Sequence, residues 1–208
     1  PSSDSYSGTT TSVQVTNING CGGGNLRASF FVGADPQDVD LCIRDCGSDV
    51  CTTPSPCPNW WASPDIYIDG NENGIIDPPA EGIENKLFCR VRNVGTDDAT
   101  DVDVSFYFAD PTMGLLFPSG GDLIDTDNLS IIGPAGSEAA MVLWEIPSPP
   151  PDISHYCVGV IATNALDGQS DTFAPDDDNL AQINIQELYA KAGDAIPPQA
   201  GGASRAMW

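Results

Sequence analysis

Apolar and polar residues alternate with a period of two through the middle of the chain. Val102, Val104, Phe106 and Phe108 alternate with Asp101, Asp103, Ser105 and Tyr107. Successive strand side chains point to opposite faces, so this run predicts a strand with one buried side. Leu87, Cys89 and Val91 alternate with Phe88, Arg90 and Arg92 in another, and Val142, Trp144 and Ile146 share a face in a third. Shorter strands are predicted at Ile66 and Ile68 and over 129–132, 155–162 and 180–188. Turn signals separate them: Asn93-Val94-Gly95, Gly133-Pro134-Ala135-Gly136 and Asp167-Gly168. Seven short strands in about 125 residues predict an all-β chain, an immunoglobulin-like antiparallel β-sandwich. Helical periodicity is convincing nowhere; residues 186–192 have room for two turns.

Three regions follow. Residues 1–57 form a Cys-rich N-terminal extension with one or two strands, over 10–18 and 26–32. Residues 58–188 form the sandwich. Residues 189–208 are a Pro/Gly-rich tail without periodicity, expected to be irregular. Val13, Val15 and Ile18 mark the first strand as a segment able to pair with an exposed sheet edge of another subunit.

Seven cysteines change the picture. Cys21, Cys42, Cys46, Cys51 and Cys57 crowd into a Gly/Pro/Ser-rich stretch, which reads as a disulfide framework in an oxidising compartment. The intervals between Cys42, Cys46, Cys51 and Cys57 lack the paired C-x-x-C knuckles of zinc sites. Cys89 and Cys157 fall on strands that an immunoglobulin-like domain joins across its sheets. A bridge there would close a loop of about 67 residues and stabilise the fold by about 4 kcal/mol; two buried free thiols are the alternative. An odd count leaves at least one thiol free or bonded to another chain.

Thirty Asp and Glu stand against seven Lys and Arg, a formal net charge of -23. Such a chain is repelled by nucleic acid and by anionic membranes and attracts cations, although the charge also serves solubility alone. Hydrophobic residues make up 40%, so the chain is globular. No run of about 18 apolar residues is present to span a membrane, and a chain beginning at Pro1 reads as a processed or trimmed form.

The sharpest local signal is DGNENGIID at 69–77. Asp69, Asn71, Asn73 and Asp77 place oxygens at positions 1, 3, 5 and 9 of an EF-hand-type calcium loop. Gly74 stands at position 6, and Ile75 offers its carbonyl. Ala80 occupies position 12, where a bidentate Glu is expected; Glu81 or Glu84 would have to substitute. An ordinary Asp/Asn/Gly turn is the alternative. Asp176, Asp177, Asp178 and Asn179 form a second acidic loop, and Asp122, Asp125 and Asp127 a third, both read as solvated.

Catalytic readings lack parts. The one histidine, His155, is predicted inside a strand beside Tyr156 and Cys157, whereas a Cys–His pair needs the base placed across from the thiol. No nucleophile elbow occurs. Gly22, Gly23 and Gly24 do not sit between a strand and a helix as a phosphate loop would.

Taken in order, WWASPDIYI at 60–68, NKLFCRVRNVG at 85–95, VSFYFADP at 104–111, PAG at 134–136, HYC at 155–157 and DNLAQ at 178–182 resemble the CARDB-type domains, a bacterial and archaeal adhesion-related family. DLCIRD at 40–45 resembles a segment that precedes such domains. The resemblance implies a sandwich fold and an extracellular module without catalysis of its own; the Cys cluster at 42–57 departs from it. The resulting expectation is a non-catalytic structural or adhesive surface protein, calcium-binding, partnered by copies of itself or other surface proteins. The alternative is a polysaccharide-binding or spacer module of a secreted protease or glycosidase, with Trp60, Trp61 and Trp208 as candidate contacts.

Overall fold

The computed structural model describes residues 13–16, 29–32, 38–80, 82–110, 116–147 and 155–185. The chain divides into two units, Pro1–Asp38 and Val39–Trp208. In the first, β1 (Val13–Thr16) pairs antiparallel with β2 (Ser29–Val32), Val13 lying opposite Val32. Val13 and Val15 are on β1 as expected; Ile18 and Cys21 lie outside the described residues, as does the tail from 189 onward.

The second unit is a two-sheet antiparallel sandwich. One sheet is built on β5 (Glu84–Asn93), with β8 (Ser137–Glu145) along one edge. Phe88 lies between Met141 of β8 and Tyr67 of β4 (Ile66–Ile68), while Arg92 lies between Ser137 and Cys42 of β3 (Leu41–Cys42). Strands β3 and β4 therefore run end to end along the other edge of β5. The second sheet has the order β10 (Leu180–Asn184), β9 (Cys157–Thr163), β6 (Ala99–Ala109), β7 (Asp122–Ile132). A single 3-10 turn, Ala174–Asp176, precedes β10.

Alternation places the core between the sheets. Leu87, Cys89 and Val91 of β5 and Val142 and Trp144 of β8 are buried against Val102, Val104 and Phe106 of β6 and Val158 and Val160 of β9. Buried Asn85 and Asn93 peg the two ends of β5. The Asn93 amide donates to the carbonyls of Asp97 (2.7 Å) and Ile132 (3.0 Å), and its Oδ1 accepts the Gly95 N–H (3.1 Å). Satisfying those loop groups lets the turn after β5 sit against the core without orphaned polar atoms.

A second, smaller layer covers the outside of the β9–β10 half. Phe117 is buried there with Ile161, Ala174 and Leu180, and Trp60 packs against them. Phe117 lies directly on Gly159, where an added Cβ would come within 2.6 Å of its ring. Strand β9 is thus buried on both faces, which is why its sequence reads as a continuous apolar run.

Three expectations need correction. The sandwich unit begins at Val39 rather than at 58, because Leu41 and Ile43 enter the core and β3 pairs with β5. The acidic stretch of Asp122, Asp125 and Asp127 is not a loop; it is the first half of the eleven-residue β7, paired with β6 at nine positions. His155 precedes β9 rather than lying within it.

Asp65 is fully buried at the start of β4. Arg44 grips it with two nitrogens (Nε–Oδ2 3.0 Å, Nη2–Oδ1 2.9 Å), Arg92 adds a third contact (2.5 Å), and the Arg44 N–H donates to Oδ2 at 3.1 Å. Asp65→Ala leaves two partly enclosed guanidiniums without their acceptor and is expected to lower unfolding free energy by about 3 kcal/mol. Urea unfolding measures this; a loss below about 1 kcal/mol would mean that both arginines rehydrate freely.

Candidate functional site

The cysteine cluster forms two bridges, Cys42–Cys51 and Cys46–Cys57. Between them Asp49 organises the loop, its carboxylate accepting the N–H groups of Asp45 (2.9 Å) and Cys51 (3.0 Å). The stapled segment lies along the chain that leads into β10. Ile43 donates to the Asp178 carbonyl (2.8 Å) and Ser55 to that of Pro175 (2.6 Å).

The bridge expected between Cys89 and Cys157 is not formed, and both are buried free thiols. Cys89 points into the inter-sheet core. On β9 the core-facing residues are Val158, Val160 and Ala162, so Cys157 faces the opposite side of its sheet. There its thiol donates to Asn184 Oδ1 (3.0 Å). Burial, with Asp110 adding to it, pushes the Cys157 thiol up to about 12, and burial raises Cys89 well above its usual range. Neither sulfur is activated as a thiolate. His155 is half-buried, and desolvation lowers its pKa against an opposing contribution from Asp110.

The 69–77 loop is closed by its own backbone. Asp69, nearly enclosed, accepts the N–H of Asn73 (3.1 Å) and of Gly74 (2.8 Å) on its two oxygens. Asp77 Oδ2 accepts from Gly70 (2.8 Å), and Asn73 Oδ1 accepts from Ile75 (2.8 Å). Gly74 takes φ +78°, which an L side chain rarely adopts. Asp69, Asn73 and Asp77 lie in one turn, while Asn71 is exposed. Among the described residues no three Asp, Glu, His or Cys side chains are placed to hold a metal ion.

Trp60 meets Trp61 edge-on (5.5 Å between centroids, 83°) and Phe173 likewise (4.9 Å, 70°). These rings pack on one another at the rim of the smaller core and present no flat platform; Trp208 lies outside the described residues. The Asp residues of β7 have a role the sequence reading missed. Asp125 Oδ1 accepts the Thr126 N–H and Asp127 Oδ1 the Asn128 N–H, each at 2.9 Å. Asp127 also reaches across to the Met141 N–H of β8 at 2.9 Å. These carboxylates cover edge donors that would otherwise invite another strand. Alternation of Asp with Thr and Asn at 125–128 was the available signal.

No protein-family model matches the chain, and no curated protein does. Among solved structures it is similar to the CARDB domain of the PF1109 protein from Pyrococcus furiosus, in complex with di-metal ions. That match has 12% identity and a TM-score of 0.40, covering 71% of this chain and 92% of that one. It is similar also to a domain of a putative cell surface protein from Methanosarcina acetivorans, at 15% identity, 58% and 89% coverage and a TM-score of 0.35. A cycloisomaltooligosaccharide glucanotransferase from Paenibacillus sp. matches at 21% identity and a TM-score of 0.31, over 57% of this chain and 13% of that one.

The most perturbed acid is Asp45, inside the stapled segment. It is 2% exposed, and its Oδ1 has no hydrogen-bond partner. Burial pushes its carboxyl up to about 7; Ser55 opposes the shift, and Asp49 and Asp178 add to it. Asp178 rises to about 6, again through burial first and then Asp40. Both folded values exceed the unfolded one, so these groups contribute stability that is complete below about pH 4. That contribution is lost as pH rises through 6 to 7. The melting midpoint is expected to be higher at pH 5.5 than at pH 8. Asp45→Asn should flatten that slope and raise stability at pH 8 by about 2 kcal/mol. A flat wild-type profile across this window would refute the assignment.

Proposed function

We propose that the chain is a non-catalytic structural or adhesive module of the cell exterior, which joins copies of itself through its N-terminal strands. The observation that carries this reading is the first unit's hairpin, two strands of four residues each. An isolated two-stranded hairpin is marginal in water, and stability needs a third strand or a covering layer. The sandwich has its own core. Strand addition to the sandwich edge of another copy would supply a third strand by main-chain hydrogen bonds. The two bridges at 42–57 support an oxidising, extracellular location. The CARDB resemblance of residues 60–182 belongs to the same reading.

Calcium at the 69–77 loop is a second part of the proposal, supported by the Asp69, Asn73 and Asp77 oxygens that one turn holds on its own backbone. Calcium is expected to raise the melting midpoint of chelator-treated protein, by mass action on the folded state. An unchanged midpoint at millimolar calcium removes the ion from the account.

Joining is tested on the full chain with Val15→Pro, which deletes a main-chain donor and stops β1 from adding to a sheet. Wild-type protein is expected to form oligomers in sedimentation velocity, and Val15→Pro to reduce them sharply while the sandwich melts at the same temperature. A wild-type chain that stays monomeric at high micromolar concentration, or a variant that assembles as well as wild type, defeats the reading.

A further inference from the structure

Every described lysine and arginine of this chain lies on one face of one sheet. Arg44, Lys86, Arg90 and Arg92 are those four, of seven in the whole sequence. Lys86, Phe88, Arg90 and Arg92 occupy alternate positions of β5, opposite in direction to the buried Leu87, Cys89 and Val91. They therefore line the outer surface of the β3/β4–β5–β8 sheet at intervals of about 6.8 Å. Arg44 and Arg92 are held on Asp65, and Lys86 pairs with Glu72. Arg90 is exposed and lies beside Tyr67, with no carboxylate at ion-pair distance among the described residues.

An apolar row crosses the same face. Tyr67, Phe88 and Met141 are register partners on three adjacent strands, and all three are partly exposed. The Tyr67 and Phe88 rings stack at 5.4 Å with 8° between their planes. Leu143, 48% exposed, sits one row further along. Guanidinium beside stacked aromatic rings suits a partner that brings carboxylates and some apolar surface together.

The other sheet carries the complement. Asp103 is exposed on the outer side of β6, Asp101 is exposed beside it at φ +51°, where the strand's alternation is interrupted, and no described lysine or arginine shares their sheet. Tyr107 and Leu123, the next apolar register pair on that side, are partly exposed and exposed. The β5 face also carries exposed Glu84 and Glu145 at the far end of the strand, so its unpaired positive charge is local to Arg90 and the aromatic rings, whereas the outer side of β6 is acidic and apolar.

Resting on the reading that copies of this chain join, we propose that the outer face of β5 around Arg90 docks on the β6 face around Asp103 of a second copy. Because the two patches differ, the contact is head-to-tail and does not close on itself, so it propagates into a row of molecules. The overall charge of -23 opposes approach at low salt. Near 0.15 M salt the Debye length is about 8 Å, so the short-range pairs outlast the long-range repulsion.

Complementary variants of the full chain test this at 0.15 M salt. Arg90→Glu spoils one face, and Asp101→Lys with Asp103→Lys spoils the other. Each variant alone is expected to self-associate through this contact at least about tenfold more weakly than wild type. Mixed, they retain one good face each and should form a one-to-one dimer that grows no further. Unchanged association of Arg90→Glu, or no dimer in the mixture, overturns the proposal. Repeating the mixture with Val15→Pro in both chains separates the two contacts, since a dimer there persists without strand addition. Binding of a polyuronate such as alginate by monomeric wild type, lost in Arg90→Glu, would assign the face to an acidic glycan and also overturn it.

Discussion

The ion cluster at Asp65 is the constraint on which the sandwich depends. A carboxylate with no exposure must be matched by charge and hydrogen bonds, or its desolvation outweighs the contacts it makes. Here the match comes from two different places in the chain. Arg44 follows β3, and Arg92 closes β5, so satisfying Asp65 fixes the start of β4 against both. The Ser63 hydroxyl extends the set, donating to the Arg44 carbonyl at 2.7 Å while accepting the Asp65 N–H at 3.2 Å. Two short strands, β3 and β4, which pair with β5 over only two and three residues, are thereby given one register. Backbone pairing of such length would not specify it alone.

The disulfides act next to this cluster rather than in place of it. Cys42 is the residue opposite Arg92 in the sheet, so the bridge to Cys51 begins where the ion cluster ends. The stapled segment then holds Asp45 in a position with no cation and an orphaned oxygen. A buried acid in that state costs stability when ionised. Its retention beside Asp178 is a local conflict that the two covalent links are placed to withstand, and the direction of the pH effect follows from it.

Strands β5 and β6 were legible in the sequence because one face of each meets the core and the other meets water. Alternation fails where that asymmetry fails. On β9 both faces are buried, and Phe117 arrives over Gly159 from a distant loop, so nothing local tells which face Cys157 occupies. The same blindness produced the expected Cys89–Cys157 bridge. On β7 the opposite holds: nearly all of its residues are exposed, and Asp125 and Asp127 resemble loop residues although they serve an edge strand. Strand β3 is too short to show any period. The 69–77 loop was legible as a turn that gathers oxygens, since Asp, Asn and Gly have the side chains to hydrogen-bond their own backbone.

The acidic composition, read as a total, says little about what the protein touches; its distribution says more. On β7 carboxylates occupy edge N–H groups and discourage unplanned strand pairing. On β10 the edge is shielded instead by backbone, with Ser63 N–H donating to the Gln182 carbonyl and Asn184 N–H to that of Trp61, each at 3.1 Å. Both devices restrict edge-to-edge association of a β protein at high local concentration. With both edges of this sheet guarded, strand addition is left to the β5 sheet, and the sheet faces remain as further surfaces for contact. Those faces differ here because the described cations cluster around Asp65 and along β5, where carboxylates pair three of the four. The interaction that sets the register of the first sheet thus also concentrates positive charge on its outer surface, leaving Arg90 as the cation on that surface without a carboxylate at ion-pair distance among the described residues.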